Sequence, residues 1–500
     1  MVEDHLPPKA HAHLASVYAL MSGGPVLDGP EAAHHGGLKP KRASDALKPM
    51  AALGVVRRGT PSQLGWQRPN RSGTDPDWTY CLSNSWGYAV GVLAGHRGVG
   101  TGLIDARGEF REHGSTGPEC RVDEAVAVAV GDDYWKTLQT IADQIFECFK
   151  RRHAQLAELN AETPVDIRSI TVGLPGQITA IRESDPKQRQ VATVLRKFGG
   201  KPVAADLGAV LAQHEGDLPF DPRTVPIRLE NDADCAAVGE LHWGEGKGCR
   251  SLLVVKVSAG IGAGIIIDGS VHYGHEATTG EIGHDPVHRA LLDHLNEDVP
   301  EGLEHLDAES EFLQCSCSLA DSGHLEAYAS ATSVTCRVLA KRKRDIDLRS
   351  WRDSLSTIIE AAVMGRDERA QRAIRDAGFL LGRQINTLAA ALGPERVLVI
   401  GPLSEAEGLF LGAIHDEIEA LKAPITHAPR DVRFGTRGDA ARWIGVNGAA
   451  RWALEQGVWG PEREVEGYQW PGYQAAEALV RSDVERQRST ADRRPAAGAA

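Results

Sequence analysis

At 500 residues, with 42% hydrophobic and 25% charged side chains, the chain has the make-up of a globular protein long enough for roughly two to four domains with real cores. Its net charge of −13 excludes a protein that coats nucleic acid along its whole length. No run reaches the roughly 18 apolar residues of a membrane span, Met1–Ala10 is polar and lacks a signal-peptide core, and eight cysteines, mostly inside apolar runs, argue against a disulfide framework and fit a reducing cytoplasm.

The chain opens on helical patterning. Residues 12–22 read as a short amphipathic helix, and Asp28-Gly-Pro-Glu31 as the start of a second, with Asp28 as N-cap and Pro30 in its first turn. A third helix runs from Lys39-Pro40 to Gly54 with Pro49 as a kink or stop inside it. Val55–Arg58 and Trp78–Leu82 read as two strands joined by a long loop. Three helices and a two-stranded ribbon spell a winged helix-turn-helix over residues 1–84. Between Leu38 and Arg71 eight basic residues face one acid, which leaves that segment at about +7 and the rest at about −20. Such an island is either a DNA-reading module on an acidic body or a solvated basic face.

From Tyr88 strands alternate with helices. Tyr88–Leu93 and Gly100–Asp105 read as a strand pair, Tyr134–His153 as a long helix and Ile167–Gly173 as a buried strand. Leu252–Val257 and Ala263–Asp268 read as a second strand pair, then Gly378–Leu392 as a helix, Arg396–Ile400 as a strand and Trp443–Leu454 as a closing helix. Two similar strand–loop–strand units predict a duplicated α/β body with a cleft between lobes. The expected lobes are residues 85–205 with the closing helix 440–456, and residues 206–439. The tail from 478 to 500 lacks periodicity and is expected to be disordered.

Four constellations carry possible chemistry. Asn231-Asp232 follows an apolar stretch, where a carboxylate at a strand end faces a ligand crevice or an Asx turn caps the helix Ala233–Leu241. Glu281 and His284, three apart between Gly280 and Gly283, share one face of a turn. Cys315 and Cys317 with His324 and His284 make a Cys2His2 set suited to tetrahedral zinc, or unrelated thiols and surface histidines. The loop Ser258–Gly264 either cradles a phosphate or is a tight hairpin.

Together these residues resemble the ROK family (repressor, open reading frame, kinase), because the motifs stand in family order from about Leu14 to Leu454. They are the winged helix, Gly173-Leu-Pro-Gly176, Glu230-Asn-Asp232, Gly260-Ile-Gly262, Gly280-Glu-Ile-Gly-His284, the Cys-x-Cys segment ending at Leu-Glu326, and Val399-Ile-Gly401. The resemblance implies an actin-like, sugar-kinase (ribonuclease H-like) fold of two lobes. It implies sugar contacts at Asn231, Asp232, Glu281, His284 and Glu326, with Asp232 as the base in kinases of the family. It implies zinc ligands at His284, Cys315 and Cys317, with His324 standing where the family has cysteine.

The nucleotide side departs from the family. Its Asp-x-Gly-Gly-Thr phosphate loop is here Leu93-Ala-Gly95-His-Arg97, its Gly-Thr-Gly is Ser258-Ala-Gly260, and its later Gly-Gly is Gly401-Pro402. Mg²⁺–ATP would lose contacts on which phosphoryl transfer depends for positioning. The expected function is therefore a sugar-responsive repressor without enzymatic activity. Lys39, Lys41, Arg42 and Ser44 would meet the major groove, Arg68 would reach from the wing, and the protein would act as a homodimer or homotetramer on an operator. An ATP-dependent hexose kinase using Asp232 is the alternative, and a sugar sensor without DNA binding follows if Pro49 breaks the third helix.

Overall fold

The computed structural model describes residues 87–95, 98–105, 133–158, 167–178, 201–217, 221–297, 323–342, 351–421 and 431–459, together with single positions between them. It also places the backbones of five short strands outside those ranges, at 27–28, 56–59, 79–82, 463–465 and 468–470.

Near the N-terminus, β1 (Leu27–Asp28), β2 (Val56–Gly59) and β3 (Thr79–Leu82) form an antiparallel sheet in the order β1-β3-β2. The expected ribbon is present as β2 and β3, and β1 adds a third strand that takes up Asp28, read above as a helix cap. The three expected helices, and with them Lys39, Lys41, Arg42, Ser44 and Arg68, lie outside the described residues, as does the 478–500 tail.

The body is the two-lobed, actin-like α/β fold. Its first sheet has the order β5-β4-β6-β7, from β4 (Tyr88–Gly95), β5 (Gly98–Asp105), β6 (Ile167–Leu174) and β7 (Ile227–Asn231). Its second has the order β10-β9-β8-β11-β12, from β8 (Leu252–Val257), β9 (Ile261–Ile267), β10 (Ser270–Val271), β11 (Arg396–Ile400) and β12 (Val432–Phe434). In each, an antiparallel hairpin feeds one parallel strand and then another: β5-β4-β6-β7 repeats as β9-β8-β11-β12. The duplication expected from the sequence is therefore present. Inner strands such as Leu252–Val257 and Arg396–Ile400 are nearly all apolar because both faces of a helix-covered sheet are buried.

Strand β7 pairs with β6, so the first sheet runs through Asn231. The break expected at 206 falls inside a helix of that lobe, α2 (Val203–Leu211), which packs on α1 (Tyr134–Glu158). Pro226 accepts from the Ile170 N–H at 3.0 Å, which starts the pairing that the sequence does not announce.

Two helices meet between the sheets, α3 (Asp232–Trp243) and α10 (Ile444–Trp459). They touch backbone to backbone: a Cβ on Gly239 would sit 1.9 Å from the Ile444 carbonyl oxygen, and one on Gly448 1.8 Å from that of Cys235. The second lobe adds α4 (Arg289–Leu295), α5 (Leu325–Ala329), α6 (Ala331–Leu339), α7 (Trp351–Val363), α8 (Glu368–Leu392) and α9 (Glu407–Ala420). Helix α8 starts ten residues before the expected Gly378, capped by the Asp367 carboxylate accepting from Ala370 N–H at 3.1 Å, and ends at Gly393 in the left-handed region. Gly378 is interior, letting the Phe410 carbonyl of α9 approach.

Cys148, buried in α1 beside Ile145 and Phe149, is disulfide-bonded. This departs from the reduced state expected for a thiol inside an apolar run. Cys235 and Cys249 are free thiols. Among the described residues no helix is long and apolar enough to cross a membrane.

Candidate functional site

Asn231 and Asp232 sit where β7 turns into α3. The Asn231 side-chain oxygen accepts from the backbone N–H groups of Ala233 at 2.7 Å and Asp234 at 3.2 Å, the N-cap bond that starts the helix. Its amide donates to the Gly176 carbonyl at 2.9 Å, tying the Leu-Pro-Gly loop after β6 to the same corner. Of the two readings of Asn231-Asp232, the cap therefore describes Asn231. Asp232 is the first residue of α3 and is free of that duty. Its carboxylate is bonded instead to the ammonium of Lys256, at the end of β8.

The loop Ser258–Gly264 is a hairpin between β8 and β9, closed by Ser258 N–H donating to the Gly260 carbonyl at 2.8 Å. Its glycines serve packing. A Cβ on Gly264 would lie 2.5 Å from the Ala237 side chain of α3, and one on Gly260 2.4 Å from a Glu326 carboxylate oxygen. Glu326, only 3% exposed, uses that oxygen to accept from Ile261 N–H at 3.2 Å. It braces the hairpin from beneath.

Glu281 and His284 lie in the turn that follows. Gly280 takes a φ of 89°, and a side chain there would strike the Ala263 carbonyl. The Glu281 carboxyl is raised chiefly by burial; the His284 ring opposes the rise, and Asp232 and Glu326 add to it. Asp234 is raised further, first by burial and then by Glu230, Asp232 and Glu281. These mutual effects place Asp232, Glu281 and Glu326 in one another's field, and His284 lies 3.6 Å from Glu281, so four of the five residues expected to contact sugar lie near one another. Asn231 stands beside Asp232 as the cap of the same helix.

The segment 285–287 pairs with 323–325: Val287 N–H donates to Gly323 and Leu325 N–H to Asp285, both at 2.9 Å. This clamp sets the His284 and His324 rings edge to face at 5.4 Å between centroids. Nδ1 of His284 is 3.2 Å from the buried Cys315 sulfur, while its Nε2 is 3.6 Å from Glu281. Donor atoms of His284, Cys315 and His324 all fall within 4.8 Å of one another. Ligand atoms of a tetrahedral zinc stand about 3.5 Å apart, and zinc takes nitrogen and sulfur together. The trio therefore fits such an ion. Cys317 lies outside the described residues.

Sequence reasoning missed two groups. One is Lys256, whose signal is a lone charge inside the apolar strand Leu252–Val257. The other is a buried polar knot in which Arg228 bonds Glu230 and also donates to the Tyr273 hydroxyl at 2.9 Å, with its guanidinium over the Trp452 ring. Burial raises the Glu230 carboxyl despite the guanidinium.

Leu93 stands at the end of β4. It packs beside Gly173 and Gly445, where added Cβ atoms would meet it at 2.8 and 2.9 Å, and joins the apolar cluster of Cys235, Val238, Ala449 and Trp452. His96 and Arg97 lie outside the described residues.

Comparison with known proteins agrees on the family. The sequence pattern described as "ROK family" matches residues 135–456. A glucokinase of Halalkalibacterium halodurans is 29% identical over 227 residues, 44% of this chain and 62% of that protein. A xylose repressor of Caldicellulosiruptor bescii is 26% identical over 302 residues, 59% of this chain and 63% of that one. The chain thus spans less than two thirds of either relative's length. A crystal structure described as a ROK family transcriptional regulator, homolog of E. coli Mlc, superposes with a TM-score of 0.60 at 19% identity, covering 90% of this chain and 97% of the other.

Proposed function

The chain belongs to the ROK family, and on that premise we propose that it is a sugar-responsive transcriptional regulator whose sugar crevice is kept and whose ATP site is lost. The observation that carries the reading is Leu93. Kinases of the family place a phosphate-loop aspartate there; here the side chain is part of an apolar cluster. An isobutyl group offers nothing to Mg²⁺ or a phosphate, and the half-buried Leu93 is packed against Cys235, Val238 and Trp452, where a carboxylate would lose part of its hydration without gaining a partner. The curated relatives include both repressors and kinases, so the choice rests on this chain's own residues.

In this reading Asp232 and Glu281 accept hydroxyl hydrogens, while His284 and Glu326 position them from the side and beneath. A sugar bound there favours one closure of the lobes and resets the spacing of two DNA-binding modules in a homodimer or homotetramer. It shifts DNA affinity only by its differential affinity for the two closures. The strand order β1-β3-β2 supports a winged helix at the N-terminus. Hairpin β2–β3 carries the loop read as the wing, which holds Arg68 and Arg71, and β1 joins it from between the first two expected helices.

Retarded migration of DNA from the region upstream of the protein's own coding sequence tests this. Arg42→Ala and Arg68→Ala should each weaken binding and flatten the salt dependence by about one unit of slope if each meets a phosphate. A protein that retards no such fragment at low salt, with or without sugars, is not a regulator of this kind.

Zinc at His284, Cys315, Cys317 and His324 is the cofactor this reading assigns. A metal on Nδ1 of His284 would leave the proton on Nε2, aimed at Glu281, and so fix the ring that the sugar meets. The protein purified without added metal should carry about one zinc per chain by elemental analysis. Cys315→Ser should lose both the metal and several degrees of melting temperature, because structural zinc is coupled to local folding. A metal-free native protein would exclude the site.

A further inference from the structure

Lys256 is the one charge on a strand otherwise buried. Along β8, Leu253, Val255 and Val257 face the large core of the second lobe, while Leu252 and Val254 face α3. Alternation puts Lys256 on the α3 side, at the carboxyl end of the strand. That end, where β8 runs parallel to β11, is where open α/β sheets place their ligands. The Lys256 ammonium meets the Asp232 carboxylate at that end of the strand, and the two side chains keep 24% and 17% of their surface exposed. The pair is neither sealed in the core nor free in solvent. A molecule that binds at that end meets both groups together.

The chemistry of the pair is specific. An ionised carboxylate only accepts and an ammonium only donates, whereas a hydroxyl does both. One hydroxyl set against the pair can donate to Asp232 and accept from Lys256, using its full capacity.

We propose that Lys256 is a ligand-contacting, specificity-determining residue, and that the Lys256–Asp232 pair grips a single sugar hydroxyl from its two sides. The inference rests on the sugar-site reading above and adds to it the group that selects among hydroxylated ligands.

Calorimetric titration of the full-length native protein with D-glucose, D-xylose and N-acetyl-D-glucosamine sets the baseline. Lys256→Met should bind the preferred sugar at least tenfold more weakly. Deoxy analogues of that sugar then locate the shared hydroxyl: the analogue that loses most against native protein should lose little further against Lys256→Met. A lysine that merely supported the fold would lower the sugar-free melting temperature and leave that pattern additive. Unchanged affinity in Lys256→Met, or additive losses, overturns the inference while leaving the sugar site standing. If Lys256→Met does not fold, Lys256→Gln decides by the same two criteria. A native protein that binds none of the three sugars defeats the sugar-site reading, and this inference falls with it.

Discussion

Asp232→Ala is expected to abolish the rise in melting temperature that the cognate sugar gives the native protein, while DNA binding without sugar persists. The substitution removes the acceptor at the head of α3 and leaves the Lys256 ammonium without its carboxylate. Hydrogen bonds to charged groups contribute about 1.5–3 kcal/mol each, and a sugar hydroxyl left facing an unmatched donor adds a desolvation cost. A loss of at least about 10- to 150-fold in affinity follows, enough to erase a shift measured near the native dissociation constant. The helix itself survives, because its cap is the side chain of Asn231. A sugar-dependent shift of native size in Asp232→Ala would remove Asp232 from the site. The kinase reading meets its own test in the native protein. Sugar-dependent ADP release at about 1–100 per second, lost in Asp232→Ala, would make phosphoryl transfer the better account.

The largest effect on stability is expected from Arg337→Ala. Arg337 on α6 is 1% exposed and is held at 2.5 Å by Asp376 of α8, itself 3% exposed. Arg372 reaches the other Asp376 oxygen at 2.9 Å from a more open position. Burial lifts the Asp376 carboxyl in spite of both guanidinium groups, so the carboxylate depends on them. Removing one partner of a buried pair costs about 3–5 kcal/mol, and Arg372 should hold the loss toward the lower end. A drop of roughly 10 °C in the melting of the second lobe is the expected reading. Replacing both partners together, as Arg337→Met with Asp376→Leu, should recover most of it. A single variant that melts like native protein would show that Arg372 alone satisfies Asp376.

That same pair explains where the sequence was hard to read. The start of α8, Glu368–Asp376, looks like a solvated stretch because charges fill it. The structure buries Ala370, Ala373, Ile374 and Asp376, and the burial of Asp376 is offset by Arg337, distant in sequence, together with Arg372. The inner strands β8 and β11 were legible to the residue, since burial on both faces leaves an unbroken apolar run. Strand β7 was legible as apolar, yet its sheet was not, because pairing with β6 is a long-range choice that local pattern does not record. Asp232, Glu281, His284 and Glu326 could be found through motif order. What each carboxylate does there could not: nothing local says that Glu326 turns its oxygens to a backbone N–H while Asp232 meets an ammonium.

The glycine crossing between α3 and α10 has a mechanical meaning. Asp232 begins α3 and Gly239 lies two turns along it, about 10 Å away by helix rise. There the helix rests on α10 peptide against peptide, with no side chain between them to change rotamer or yield. A helix is stiff along its axis, and a contact without a cushion has no slack. A displacement of α3 along its axis has little slack to take up before it meets α10. α10 also packs on the strands of the first sheet, so the crossing joins the helix that carries Asp232 to the other half of the body.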